Sequence, residues 1–202
     1  MESNEFRFRP MNEGDLDQIS EWFADFEDMA MFDRSLPVPV GKQFVAESWK
    51  SALQFSDPPK ALWFVCESED GEAVGIGGIQ AINYIHGDAV VPVFVTRDFR
   101  GRGLALALMY LLANVAFEKL RLHRLTTFFR DDNKASRQIS ELMGFKEEGR
   151  AREGWFSEGK YQDAIQVGLL ASEWQENSAA VLDRLRHSHS KFVNHTIPGE
   201  EK

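Results

Sequence analysis

The residues with the clearest chemical potential form a glycine-rich turn between a predicted strand and a predicted helix, with the sequence RGRGLA at positions 100–105. Gly101 and Gly103 let the backbone approach a ligand closely, because glycine has no Cβ. The helix that follows offers free N–H groups at the positive end of its dipole. Arg100 and Arg102 add positive charge at the same place. The pattern predicts a binding site for a pyrophosphate group.

Three other interpretations of the glycine-rich segments fit the sequence less well. The dinucleotide fingerprint G-x-G-x-x-G fails at Leu106, and no βαβ unit is predicted before it. Residues 154–161, GWFSEGKY, are close to the triphosphate loop G-x-x-x-x-G-K-[ST], but Tyr161 replaces the magnesium-binding hydroxyl and a strand is predicted next. The glycines at 75–78 lie within a predicted strand and indicate a bulge or a twist.

A second motif occupies residues 133–149, NKASRQISELMGFKEEG, where Asn133 and Ser136 begin a short predicted helix that Gly144 closes. The turn at 100–105 resembles the R/Q-x-x-G-x-G/A motif of the GCN5-related N-acetyltransferase (GNAT) superfamily. The second motif resembles the N-x-x-S…G-F…E-G signature of its ribosomal-protein N-terminal acetyltransferase branch. With Phe8-Arg9-Pro10 and the ending at Glu173-Trp174, the resemblance covers roughly residues 6–174.

The resemblance implies an α/β (α+β) fold with a mixed, mostly antiparallel sheet flanked by helices. Its fourth and fifth strands, around residues 90–95 and 125–129, are expected to splay apart, and Pro92 fits a bulged strand. The implied activity is acetyl-CoA-dependent transfer of an acetyl group to a primary amine, either a peptide or protein N-terminus or a small cationic amine. A non-catalytic acyl-CoA-binding or regulatory protein on the same scaffold is the alternative.

The resemblance also assigns roles to individual residues. The pantetheine arm of acetyl-CoA is expected near the backbone of Phe94 and Val95, and its thioester end near Asn133 and Ser136. The pyrophosphate is expected at the amides of Arg100, Gly101, Arg102, Gly103, Leu104 and Ala105. Ser136 is the expected general acid, and Glu153 is the next catalytic candidate. No metal ion is implied.

Two positions depart from the family pattern. Ser140 occurs where many members have a tyrosine that acts as general acid, and Val90 occurs where a glutamate base is often found. These departures motivate the non-catalytic alternative. Because much of the rate enhancement in this family comes from positioning, poor side-chain acids and bases do not exclude turnover.

The elements that position these motifs follow from hydrophobic periodicity. Apolar residues recur at steps of three and four over residues 16–29, which predicts one amphipathic helix capped by Asn12. Strands are predicted over 62–66, 73–85, 89–96, 125–129, 145–150 and 165–170, and helices over 104–117 and 133–143. Cys66 is expected to be an unreactive residue of a buried strand.

The net charge argues against some anionic partners, whereas its distribution along the chain fits another. The 202 residues carry 23 Lys and Arg against 32 Asp and Glu, a net charge of −9 that argues against nucleic-acid and membrane partners. Residues 97–137, however, contain nine basic and four acidic residues, whereas residues 1–60 contain twelve acidic and six basic ones. The basic stretch fits a phosphate-bearing cofactor, and the acidic start suggests a cationic acceptor. The single cysteine excludes an internal disulfide, and we expect a cytoplasmic protein.

The chain is expected to divide into an acetyltransferase domain at 1–174 and a C-terminal appendage at 175–202, partly helical or disordered. The appendage contains three of the five histidines. His187 and His189 are two residues apart and do not share a helix face, so no metal site is predicted. The appendage could dock on a neighbouring subunit, which makes a homodimer one possible assembly.

Overall fold

The computed structural model of the chain describes residues 5–32, 41–54, 56–188 and 191–193. A mixed sheet of strand order β7-β8-β6-β4-β3-β2-β1-β9 runs through these residues, with β5 paired to β3. Of the strand pairs, β4–β6 and β1–β9 are parallel and the others are antiparallel. The strands are β1 Glu5–Pro10, β2 Leu62–Ser68, β3 Ala73–Asn83, β4 Asp88–Val90, β5 Val93–Val95, β6 Arg124–Arg130, β7 Lys146–Ser157, β8 Lys160–Leu170 and β9 Lys191–Val193.

Helices cover both faces of the sheet, because each face buries its own set of apolar side chains. One core contains residues of α4, α5 and α6, including Leu108, Met143 and Trp174. The other core contains residues of α1, α2 and α3, including Ile19, Met29 and Val45. The helices are α1 Leu16–Trp22, α2 Phe26–Phe32, α3 Lys42–Lys50, α4 Leu104–Asn114, α5 Lys134–Met143 and α6 Ala171–Arg186.

The sheet splits beside β5. β4 pairs with β6 as far as Val90 and Thr126, and the N–H of Val91 donates to the Thr126 carbonyl oxygen at 3.0 Å. β5 then pairs with β3, whereas β6 continues beside β8 to Arg130. Pro92, which has no N–H to donate, lies where the two strands diverge. The predicted splay between the strands around 90–95 and 125–129 is confirmed.

Some predicted elements have different limits. The helix predicted over 16–29 is two helices, because the side chain of Asp25 accepts hydrogen bonds from the N–H groups of Glu27 and Asp28 and starts α2 there. β7 and β8 form a longer hairpin than predicted.

Helix α6 runs across the predicted domain boundary after Trp174. Val181 and Leu185, on its second half, are buried in the same core as Trp174. The division at that residue stays a prediction, and His189 and His195 lie outside the described residues. None of the helices in the described part of the chain is both long and apolar enough to cross a membrane.

Candidate active site

The glycine-rich turn presents backbone amides to the space in front of α4. Gly101 and Gly103 have φ angles of +76° and +84°, a left-handed conformation that favours glycine. Gly103 is the N-cap of α4, and its carbonyl oxygen accepts the first helical hydrogen bond, from Ala107 at 3.0 Å. The N–H groups of Leu104, Ala105 and Leu106 therefore have no partner within the helix. Three amides at a helix start can hold an anion.

The arginines before the turn are paired with helix α2. Arg100 donates from Nη2 to Asp28 Oδ1 at 2.7 Å and from Nε to the Val95 carbonyl oxygen at 2.9 Å. Arg97 donates to the carboxylate of Asp25 at 2.5 Å and to that of Asp28 at 3.4 Å. The basic stretch and the acidic start of the chain, which the sequence predicts to serve two different ligands, therefore partly neutralise each other.

A cavity of about 400 Å³ fills the gap between β5 and β6. Its wall includes Ala105 in the first turn of α4, so the cavity begins beside the free amides. At the other end it reaches Met31 and Phe32 of α2, on the opposite face of the sheet. The lining residues are Met31, Phe32, Gln80, Val90, Val91, Pro92, Val93, Ala105, Met109, Thr127, Phe128, Phe129, Ser136, Ile139, Ser140 and Trp155.

Helix α5 brings two hydroxyl groups to this cavity. The side chain of Asn133 accepts the N–H of Ser136 at 3.0 Å and caps the helix, which fixes the start of α5. Ser136 and Ser140, one helical turn apart, both line the cavity, and Ser140 is only 4 % exposed. The structure thus brings Ser136 together with the turn, whereas the Asn133 side chain is used as the cap.

The backbone hydrogen-bonding groups of β5 point alternately toward β3 and toward the gap between β5 and β6. The hydrogen bonds from Gly78 N–H to the Pro92 oxygen and from Thr96 N–H to the Val74 oxygen, both 3.0 Å, fix its register with β3. By this alternation the polar backbone groups of Phe94 face β3, and those of Val93 and Val95 face the gap. Phe94 and Val95 are the residues expected here from the sequence. Val93 is not among them, although the period of two along the strand places it on the same edge as Val95.

Glu153 and Cys66 do not line the cavity. Glu153 is exposed on β7 with a φ angle of +52°, and its N–H donates to Asp163 Oδ1 at 2.9 Å. It is not among the described residues that line the cavity. Cys66 is fully buried, and its burial raises the pKa of the thiol to about 12, so the thiol stays protonated. The described residues hold no cluster of three or more metal-ligating side chains.

Comparison with known proteins identifies the family. A family model described as an acetyltransferase (GNAT) domain matches residues 5–146, which is more than half of the chain. The chain belongs to the GNAT acetyltransferase family. The resemblance drawn from the turn at 100–105 and the motif at 133–149 is therefore confirmed.

Curated GNAT relatives match the central part of the chain. It is 31 % identical over 106 residues to YdaF of Bacillus subtilis, which carries a provisional ribosomal N-acetyltransferase name; this covers 52 % of the chain and 58 % of YdaF. It is 30 % identical over 115 residues to spermidine N(1)-acetyltransferase of Vibrio cholerae, covering 57 % of the chain and 66 % of that enzyme. The chain thus matches less than two thirds of the length of each of these relatives.

A solved GNAT structure shows the same fold. The crystal structure of spermidine N-acetyltransferase from Vibrio cholerae, in complex with CoA and spermine, superposes with a TM-score of 0.75 at 24 % identity. The match covers 84 % of this chain and 98 % of that one. The predicted fold class, a mixed and mostly antiparallel sheet flanked by helices, is confirmed.

Proposed function

We propose that this protein is an acetyl-CoA-dependent N-acetyltransferase that acetylates a primary amine. The observation that carries the proposal is the cavity between the diverging strands, which joins the free amides at the start of α4 to the hydroxyl of Ser136. Membership of the GNAT family and the acetyltransferase names of its relatives support it.

The residues around the turn fit the phosphate end of acetyl-CoA. The two left-handed glycines leave the amides uncovered. Apart from the residues next to it in the chain, no described residue has a heavy atom within 4 Å of the position that a Cβ on Gly101 would occupy. Acetyl-CoA supplies an activated acetyl group when bound. We assign its pyrophosphate to the backbone of Arg100, Gly101, Arg102, Gly103, Leu104 and Ala105. Its pantetheine arm is assigned to the gap-facing backbone of Val93 and the N–H of Val95 beside Phe94, because the Val95 carbonyl oxygen already accepts from Arg100. The cap residue Asn133 is assigned near the end of the arm.

Ser136 is the proposed general acid. With acetyl-CoA bound, the acceptor nitrogen would bond to the acetyl carbon as the carbon–sulfur bond breaks, and Ser136 would donate a proton to the departing sulfur and regain one from water. The amine must lose a proton, and none of the described cavity-lining residues carries a charged side chain. We therefore route this proton to water, with the exposed Glu153 as the second catalytic candidate. Most of the acceleration then comes from holding the reactants together.

The proposed acceptor is a small cationic amine such as a polyamine, with a peptide N-terminus as the other candidate. The names of the spermidine acetyltransferase relatives support the first candidate, and the name of YdaF supports the second. Asp17 and Glu21 of α1 are exposed and both lie 3.4 Å from the Nζ of Lys42, so two carboxylates share one cation and a net negative charge remains at the surface.

A thiol-release assay tests the proposal. The protein is mixed with acetyl-CoA and a panel containing polyamines, monoamines and peptides with free N-termini, and free CoA is measured with mass analysis of the amine. We expect amine-dependent release of CoA and an acetylated product. Tight binding of acetyl-CoA without turnover on any amine would instead support the acyl-CoA-binding alternative, which the uncharged cavity lining also favours.

A further inference from the structure

Gln80 enters the cavity from the strand beside the position where the family often has a base. Gln80 of β3 lies directly opposite Val90 of β4, and both residues line the cavity. Residues directly opposite each other in a sheet project from the same face. The polar side chain therefore occupies the position adjacent to Val90, whose own side chain is apolar.

The glycines of β3 identify the face on which Gln80 lies. A Cβ on Gly77 would meet the side chain of Leu112 of α4 at 3.0 Å, whereas a Cβ on Gly78 would meet the ring of Trp63 at 2.5 Å. Side chains alternate along a strand, so Gln80 shares the face of Gly78. This face carries α1, α2 and α3, away from α4 and its free amides. Gln80 thus reaches the cavity from the side opposite the proposed cofactor turn.

The backbone after Gln80 is irregular. Ala81 has a φ angle of +52°, which is unfavourable for an alanine, and the pairing of β3 with β4 shifts register between Gln80 and Asn83. Such irregularities are enriched beside active sites, where they direct a side chain or end a ladder. Here the regular pairing ends at the residue that faces the cavity.

The surroundings of Gln80 leave its amide as the polar side chain at this end of the cavity. Met31, Phe32 and Val90 are apolar, and the ring N–H of Trp155 is used by the Ala30 carbonyl oxygen at 3.1 Å. Within the described residues the Gln80 side chain has no hydrogen-bond partner. The Gln80 side chain is half-buried, so a ligand that fills the cavity would remove water from its amide and would have to supply a hydrogen-bond partner.

We propose that Gln80 positions the acceptor: its side-chain carbonyl oxygen accepts a hydrogen bond from the acceptor amine and turns the nitrogen toward the acetyl carbon. The inference rests on the proposed acetyltransferase function. A glutamine amide does not take up a proton, so Gln80 replaces the orienting role of the missing carboxylate at Val90 and leaves proton removal to water.

Steady-state kinetics of Gln80→Leu and Gln80→Glu test this role with the best amine from the panel. Gln80→Leu should raise the KM for the amine about tenfold, the loss of one hydrogen bond, while the acetyl-CoA Kd stays at the wild-type value. Gln80→Glu keeps an accepting oxygen and adds a charge, so it should hold or lower the KM for a cationic amine. Gln138→Leu, the same exchange on the exposed side of α5, is the control and should change neither constant.

The outcomes separate this inference from the proposed function. Wild-type turnover with an unchanged amine KM in Gln80→Leu would overturn the role of Gln80 and leave the acetyltransferase intact. A KM that rises equally in Gln80→Leu and Gln80→Glu would also overturn it, because an accepting oxygen at residue 80 would then not preserve amine binding. If Gln80→Leu does not fold, the test is the amine KM of Gln80→Glu. A value at or below that of the wild type supports the role of Gln80, and a raised value overturns it. Absence of turnover in the wild-type protein would overturn both proposals.

Discussion

Replacing Asp28 by asparagine should weaken the fold and strengthen acetyl-CoA binding. Asp28 is buried on α2, and its carboxylate accepts a hydrogen bond from Arg100 at 2.7 Å. Arg100 belongs to the turn that we assign to the pyrophosphate. Asp28 thus holds this guanidinium group in the free protein, and pyrophosphate bound at the backbone of the turn would have to share its positive charge with the carboxylate. Asparagine keeps the shape of the side chain and removes the competing charge.

The structure bounds the size of both effects. The Asp28 side chain is 11 % exposed, but that of Arg100 is 47 % exposed, so solvent screens the pair. Exposed pairs contribute up to about 1 kcal/mol, and breaking a buried pair costs about 3–5 kcal/mol. We expect a loss of about 1 kcal/mol in unfolding free energy, or about 2–4 °C in Tm for a chain of this size. If the same energy becomes available for binding the phosphates, it lowers the Kd of acetyl-CoA about fivefold.

Thermal unfolding and calorimetric titration with acetyl-CoA measure the two effects on one preparation. Glu27→Gln is the matched control, because Glu27 lies one residue away, is 73 % exposed and pairs with Arg97 rather than Arg100. It should change neither Tm nor Kd measurably. An Asp28→Asn protein that binds acetyl-CoA more weakly than wild type, or with equal affinity, would refute the competition between Asp28 and the phosphates.

Three further predictions concern the cavity wall and the hydrogen bonds that Asp15 accepts from Arg9 and from the N–H of Asn12. Ser136→Ala should lower kcat about tenfold to a hundredfold with little change in the acetyl-CoA Kd; an equal loss in both would contradict its role as acid. Trp155→Phe removes the hydrogen bond from the buried indole N–H to the Ala30 carbonyl oxygen and should lower the free energy of unfolding, measured in urea, by about 1–2 kcal/mol. Unchanged stability would show that this hydrogen bond contributes nothing. Burial alone would raise the pKa of Asp15, but Arg9 and the Asn12 N–H hold it below its ordinary value. Its stabilisation is therefore complete above the ordinary carboxyl pKa and is lost as pH falls through the lowered one, so Asp15→Asn should flatten the acid limb of a Tm–pH curve.

The motifs and most elements of this fold could be predicted because their signals are local. The glycine turn at 100–105 carries its own backbone requirement, and Asn133 and Gly144 mark the two ends of α5 in the sequence. Pro92 indicated the irregular strand from the loss of a single N–H. Each of these features depends on residues within a few positions of one another.

The features that the sequence did not reveal depend on distant residues. The ion pair of Asp28 with Arg100 joins residues 72 positions apart and brings part of the basic stretch against part of the acidic start of the chain. The break before α2 is hidden in the sequence because the apolar period continues through Phe26, whereas in the structure α1 ends at Trp22 and the hydrogen bonds accepted by Asp25 start a new helix. The position of Gln80 opposite Val90 follows from a strand register that hydrophobic alternation does not fix.

Calorimetric titration of acetyl-CoA into Gly103→Asp and Gly159→Asp tests the central claim most directly. Both glycines have a left-handed backbone, with φ angles of +84° and +75°, so the substitution imposes a similar strain at each. Gly159 lies in the turn between β7 and β8, whereas Gly103 begins α4. We predict that Gly103→Asp abolishes binding, because its carboxylate repels the pyrophosphate, and that Gly159→Asp binds as wild type does. Wild-type affinity in Gly103→Asp would contradict the assignment of the cofactor to this turn.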